Sequence, residues 1–184
     1  MSIILIIIAV IVIIIIAVVI HLYNKLVSLR NRVKNSYSQI DVQLKRRNDL
    51  IPNLVETVKG FATHEKELLE SVAASRSGYI NASSNGEKMA MNNQLTSSLR
   101  SLFAVSENYP ELKSNTNFLQ LQDELSETED KITYARQFYN DAVTIYNNKL
   151  QTFPNNMVAG IFGFRDEELF NSVEDAKEAP KVSF

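Results

Sequence analysis

The chain has no cysteine, no tryptophan and only two histidines, His21 and His64, among its 184 residues. Without thiols there is no disulfide framework and no thiolate to attack a substrate or hold a metal, which suits a cytosolic domain. Two histidines leave little for metal-dependent or histidine-based acid–base chemistry. Glycine and proline number only five and four, and that scarcity favours long helices over turn-rich architectures. No phosphate-cradling glycine loop is present, since Gly160 and Gly163 are flanked by bulky apolar side chains.

What the chain does have stands at its beginning. From Ile3 to Ile20 run eighteen consecutive apolar residues (eleven Ile, four Val, two Ala and one Leu) with no glycine, proline or charge. As a helix that run is about 27 Å long, and His21, Leu22 and Tyr23 carry it past a hydrocarbon core of roughly 30 Å. Its β-branched composition would suit a strand in water, but a lone strand in lipid leaves every backbone polar group unpaired, so only a helix can cross. Met1 and Ser2 make no basic n-region and no A-x-A-like site follows, so the run is expected to stay as an anchor, residues 1–23. With no polar side chain before His21 it offers no ion path of its own.

Between Leu22 and Arg47 stand Lys25, Arg30, Arg32, Lys34, Lys45, Arg46 and Arg47 against Asp41 alone, a local excess of six positive charges. Positive charge after the span predicts the N-terminus outside and the remainder in the cytoplasm of a bacterial (inner) membrane protein. Lys25, Arg30, Arg32 and Lys34 are the candidate lipid-surface patch, each worth up to roughly 1 kcal/mol beside an anionic leaflet. The basic stretch has no nucleic-acid motif, and lipid head groups are the nearer anion.

The remaining residues suffice for one domain. Leu22, Leu26, Leu29, Val33, Tyr37, Ile40, Leu44, Ile51, Leu54 and Val58 step by threes and fours, with Arg47 in the one gap. That stripe predicts a helix over 24–59, kinked at Pro52 because proline removes a backbone bond without shifting the phase of the stripe. Gly60 and Thr63 mark its end and the N-cap of a second helix, 64–82, using Leu68, Leu69, Val72 and Tyr79, with Gly78 in its last turn. Asn81–Gly86 reads as a loop. Its Asn81-Ala82-Ser83 sequon is moot on a cytoplasmic side. A third helix, 87–107, places Met91, Leu95, Leu99, Leu102 and Phe103 on one face. The fourth, 111–151, sets Phe118, Leu125, Ile132, Tyr139, Tyr146 and Phe153 seven apart, with Leu121, Thr128, Ala135 and Ala142 between. These elements predict an all-α fold: an N-terminal transmembrane helix, then an antiparallel up-and-down bundle of long helices, 24–152, with a coiled-coil stalk.

The segment 153–184 opens with F-P-N-N-M-V-A-G-I-F-G-F. It is too short and glycine-interrupted to span, so Phe153, Met157, Val158, Ile161, Phe162 and Phe164 are candidate contacts with the stalk, with a second copy or with the membrane interface. Arg165–Glu178, with Leu169, Phe170 and Val173, reads as an acidic helical stretch, and Ala179–Phe184 as a tail.

No constellation for catalysis emerges. H-E-K-E-L at His64 has Leu68 where a zincin needs its second histidine. Asp123, Glu124, Glu127, Glu129 and Asp130 lack Glu-x-x-His partners and read as a solvated face. No serine stands in an evident triad, and His21 reads as an interfacial residue. Neither a metal site, a cofactor nor an enzyme is expected.

The stretch Y-N-K-L-V-S-L-R-N-R-V-K-N-S-Y-S-Q-I-D-V-Q-L-K-R-R-N-D-L-I-P-N-L-V-E-T-V-K-G-F, Tyr23 to Phe61, resembles the LemA family of bacterial membrane proteins. So do E-N-Y-P-E-L-K at Glu107, F-L-Q-L-Q-D-E-L at Phe118, R-Q-F-Y-N-D-A-V at Arg136 and the segment from Phe153. The resemblance covers nearly the whole chain in order; Tyr37 and Asn48 stand where Trp and Tyr are common. It implies an anchor with a long-helix bundle, carries no established catalytic residues, and links the wider family to membrane shaping, as in magnetosome formation. The expected function is thus a non-catalytic, self-associating scaffold that organises or remodels the cell membrane. Its expected partners are the lipid bilayer and further copies of itself. The alternative is a monomeric adaptor that recruits a membrane protease or signalling partner.

Overall fold

A buried apolar position every seven residues is the signature of a helix held along one seam, and two helices here carry it. On the first, Leu26, Val33, Ile40, Arg47 and Leu54 are all 3% exposed or less, and Leu44, Ile51 and Val58 fill the alternate position. On the other, Phe118, Leu125, Ile132, Tyr139 and Tyr146 are buried, with Thr128, Ala135 and Ala142 between them. The computed structural model describes residues 2–61, 64–83 and 85–170, and among them it is helical with no strand. The elements are α1 (Ser2–Lys59), α2 (Lys66–Asn81), α3 (Asn85–Ser106), α4 (Pro110–Lys113), α5 (Thr116–Gln151) and α6 (Asn155–Phe162). The anchor and the first stripe are thus one helix, running through Pro52 without a break.

Several expected boundaries shift. Thr63 lies outside the described residues, and α2 starts at Lys66 with Glu65 in the N-cap position. The fourth helix divides: Pro110, pre-set for a first helical turn, opens the short α4, and Asn115 then starts α5. Its Oδ1 accepts from the backbone N–H groups of Asn117 and Phe118, both at 3.0 Å. The stretch after Phe164 is not helical as far as Phe170. The rest of the expected acidic helix, Val173 included, and the tail Ala179–Phe184 lie outside the described residues.

The described chain divides into two compact units. One contains residues 40–134. Here Ile51, Leu54, Val58, Leu69, Val72, Leu95, Leu99, Leu102 and Phe118 form a single apolar core. Register follows from the polar contacts: Asp41 accepts from the Tyr79 hydroxyl, and the Asn48 carbonyl from Arg76. Ser71 meets Ser98, and Arg47 meets Glu129. Rising numbers on one helix meet falling numbers on the next, so α1, α2, α3 and α5 alternate in direction as an antiparallel bundle. Gly78 leaves room on α2 for the Met91 side chain of α3, since a Cβ there would meet the Met91 sulfur.

The other unit contains residues 1–39 and 135–170. Tyr37 stacks edge-on with Tyr139, and Tyr23 meets Phe162, so α1 and the chain returning along α5 and α6 again run antiparallel. The apolar stretch of α1, Ile3 to Ile20, is exposed along its length apart from half-buried Val19. It is the one helix among the described residues long and apolar enough to cross a membrane. Its length and composition are those of a membrane-crossing helix.

Candidate functional site

The basic residues separate by burial. Lys25, Arg30, Arg32 and Lys34 are exposed, as a lipid-surface patch requires. Arg47, grouped with them by sequence, is 1% exposed and belongs to the interior of the bundle. Its Nη1 donates to Glu129 Oε2 at 2.6 Å and to Thr96 Oγ1 at 2.8 Å, while Nη2 donates to the carbonyl and side-chain oxygens of Asn92. Burial pulls the guanidinium's pKa down and Glu129 pulls it back. Glu129 is therefore no member of a merely solvated face. Glu127 is one, with its carboxyl held below the usual range chiefly by the Lys131 ammonium 2.7 Å away. The sequence signal for Arg47 was its place in the gap of the stripe.

Pro52 is exposed within α1 and has no N–H to give to the carbonyl of Asn48 four residues back. Arg76 Nε supplies that missing donor at 2.9 Å.

The candidate contact segment resolves into a two-faced helix. α6 turns Asn155, Val158 and Ala159 inward and leaves Met157 and Ile161 exposed at 60 and 75%; Phe153, just before the helix, is 78% exposed, and Phe162, on the inward side at its last turn, is 51% exposed. Val158, at 4% exposure, is thus engaged within the chain rather than available to a partner. Gly163 takes the left-handed φ of 70° that ends α6, and the Phe164 N–H reaches back to the Ala159 carbonyl at 3.0 Å. That turn brings Phe164 to Tyr23, ring centroids 5.6 Å apart, beside the Phe162 ring at 4.8 Å.

Beyond Phe164 the chain is an extended strap on α5, which the sequence did not suggest. The side-chain amide of Asn147 both donates to the Glu167 carbonyl (2.8 Å) and accepts from its N–H (3.0 Å). Asn140 repeats the pairing with Phe170, at 3.1 and 2.8 Å. Seven residues of helix rise about 10.5 Å and three of extended chain about 10 Å, so the two spacings match. The Tyr139 hydroxyl donates to the Glu168 carbonyl, and Arg136 lies over the Phe170 ring, 4.6 Å from its centroid. Burial raises the pKa of Tyr139, with Glu167 adding to the effect. Burial likewise raises that of Tyr146, against the pull of Arg30.

On the outer side of the same unit Phe138 is 62% exposed. It borders a shallow groove of about 750 Å³ lined by Asn24, Val27, Ser28, Asn31, Arg32, Asn35, Ser36 and Gln39 of α1. No group of three His, Asp or Glu side chains that could hold a metal ion occurs among the described residues.

Three known proteins are similar to the chain in sequence. Protein LemA of Metamycoplasma hominis is 28% identical over 152 residues, spanning 82% of this chain and 69% of its own. Magnetosome proteins MamQ 1 and MamQ 2 of Paramagnetospirillum magneticum are each 25% identical over 187 residues, spanning 88% of this chain and 68% of theirs. The LemA family profile matches residues 36–184, which takes in every helix after the apolar run, and the chain accordingly belongs to the LemA family.

Proposed function

We propose that the protein is a non-catalytic, membrane-anchored scaffold whose copies associate side by side to organise or remodel the bacterial cell membrane. Its N-terminus lies outside and its bundle in the cytoplasm. The observation that carries this reading is the pairing of a knob and a hole on one surface. Phe138 stands 62% exposed beside the groove edged by Asn24, Ser28, Asn31, Asn35 and Gln39. Two copies related by a twofold axis place each Phe138 in the other's groove, since an isologous contact uses one patch twice. The amide and hydroxyl side chains and the Arg32 guanidinium that line the groove can hydrogen-bond across the contact. Ile145, one heptad beyond Phe138 on α5 and 44% exposed, extends the same contact. The magnetosome naming of the MamQ relatives supports a part in building a cellular structure rather than turning over a substrate.

The test is the mass of the full-length protein in mild detergent and in nanodiscs. Several copies per particle are expected, and Phe138→Glu returns the particle to one copy without releasing it from the membrane. A single copy in both settings overturns assembly. One dominant heterologous cross-link in cells, with no homotypic species, identifies the adaptor role instead.

A further inference from the structure

The exposed face of α6 calls for a cover, because Met157 and Ile161, one turn apart, stand 60 and 75% exposed, with Phe153 just before the helix at 78%. No charge occurs from Leu150 to Phe164. Where that face sits identifies what covers it. Phe162 packs on Tyr23, centroid to centroid 4.8 Å, and Tyr23 stands three residues after Ile20, the end of the apolar run. Three residues of helix are about 4.5 Å, so Phe162 lies within a ring's width of the level at which α1 leaves the hydrocarbon. Tyrosine at that level is the residue type that marks a membrane–water boundary. Lys149 and Arg165 bracket the uncharged stretch, and Lys25 follows Tyr23 on α1. Cations on either side of an apolar face match a leaflet that is anionic at its surface and apolar just beneath.

We infer that α6 is an interfacial helix. Its Met157–Ile161 face, with Phe153 just before the helix and Phe162 beside Tyr23 at its end, lies in the headgroup–acyl boundary of the leaflet from which α1 emerges, beside the anchor. Helices of this kind seat their apolar face about 5–10 Å into the boundary, along the membrane plane. Each chain then occupies that leaflet twice, once with α1 and once with α6, whereas the opposite leaflet holds α1 alone. The inference rests on the anchoring of α1 but not on association between copies.

The absence of tryptophan makes the test direct, because one introduced indole is the only one in the chain. Full-length Ile161→Trp is reconstituted into phosphatidylcholine–phosphatidylglycerol vesicles carrying lipids brominated at shallow or deep acyl positions. Strong quenching by the shallow bromines and little by aqueous iodide is expected. Ready quenching by iodide overturns the inference. So does shielding from both quenchers, which means a protein cover such as a second copy. Ile13→Trp, within the apolar run, reports the anchor separately and is quenched by deep bromines whatever α6 does. Gly160 lies on the exposed side of α6 with open space around it, so Gly160→Glu places a charge on this face without a clash. It is expected to abolish the shallow quenching of Ile161→Trp at unchanged helicity. Retained quenching with the charge in place also overturns the inference.

Discussion

Arg47 occupies a position that the seam Leu26, Val33, Ile40, Leu54 reserves for an apolar side chain. A charge there has lost its water, and what compensates is the contact with Glu129, Thr96 and Asn92. Removing one partner of such a pair differs from replacing the charge by hydrocarbon. Glu129→Ala strands the cation and is expected to cost about 3–5 kcal/mol, whereas Arg47→Leu continues the seam but leaves the buried Asn92 oxygens without their donor and should cost about 1–3 kcal/mol. Glu129, 35% exposed, can turn to solvent in the second variant. Denaturant unfolding followed by circular dichroism checks the order, and a costlier Arg47→Leu would show that the pair is a net stabiliser. Pro52 and Arg76 form a second coupled pair. Arg76→Ala leaves the Asn48 carbonyl without a donor, at a cost of about 1–3 kcal/mol. In a Pro52→Ala background residue 52 regains an N–H for that carbonyl, so most of the cost should vanish in a double-mutant cycle. Additive effects would mean that Arg76 acts by packing alone.

The strap shows how an element is held by side chains that imitate a strand. Each of Asn140 and Asn147 offers one donor and one acceptor to a backbone that needs both, and each such bond contributes about 1 kcal/mol net. Asn140→Ala with Asn147→Ala should therefore release 167–170, seen as rapid amide exchange there while α5 stays protected. Asn→Asp at either position keeps the acceptor and loses the donor, and should give an intermediate result. Tyr139 reports the same event. Its pKa in the folded chain lies above the usual 10.0 because the strap region buries it, with Glu167 and Glu168 adding negative charge. A raised folded pKa means its stabilisation is complete below the unfolded value and is lost as pH rises through the folded one. Releasing the strap should bring tyrosinate absorbance in at lower pH, and an unmoved titration would separate Tyr139 from the strap. The sequence foretold the seams well, because heptad periodicity is local and the burial of Phe118, Leu125, Ile132, Tyr139 and Tyr146 follows it. It did not foretell the strap. An asparagine pair seven apart has many uses, and the apolar Leu169 and Phe170 suggested a helix until the amide contacts fixed extended backbone. The Arg47–Glu129 pair was equally hidden, since no spacing rule connects residues eighty-two apart. Of the candidate contact segment, the apolar content was legible, but its division into an inward Val158 and an outward Met157 and Ile161 required the helix phase of α6.

For the whole molecule the governing asymmetry is electrostatic. With Lys25, Arg30, Arg32 and Lys34 after the apolar run and no basic side chain before it, the proposed orientation has the end with fewer basic residues translocated. All four cations are exposed on α1, whereas Arg47 is committed to Glu129 inside the bundle and cannot reach a leaflet. The orientation should depend chiefly on these four, which lie within about 15 residues of the span, and less on the exposed Lys45 and Arg46 farther along α1. A cysteine-free chain allows an unambiguous check, because a single introduced thiol is the only target for a membrane-impermeant maleimide. Ser2→Cys should be labelled in intact spheroplasts and Ser114→Cys, exposed just after α4, only after permeabilisation. Changing Lys25, Arg30, Arg32 and Lys34 together to glutamine should produce a mixed population in which both sites are partly labelled from outside. Labelling of Ser114→Cys in intact spheroplasts of the unaltered background would place the bundle outside. It would also move the leaflet that α6 contacts, since α6 packs on Tyr23 and so lies at whichever end of the span Tyr23 marks. Orientation and the leaflet of α6 are in this way a single question, and the maleimide experiment answers both.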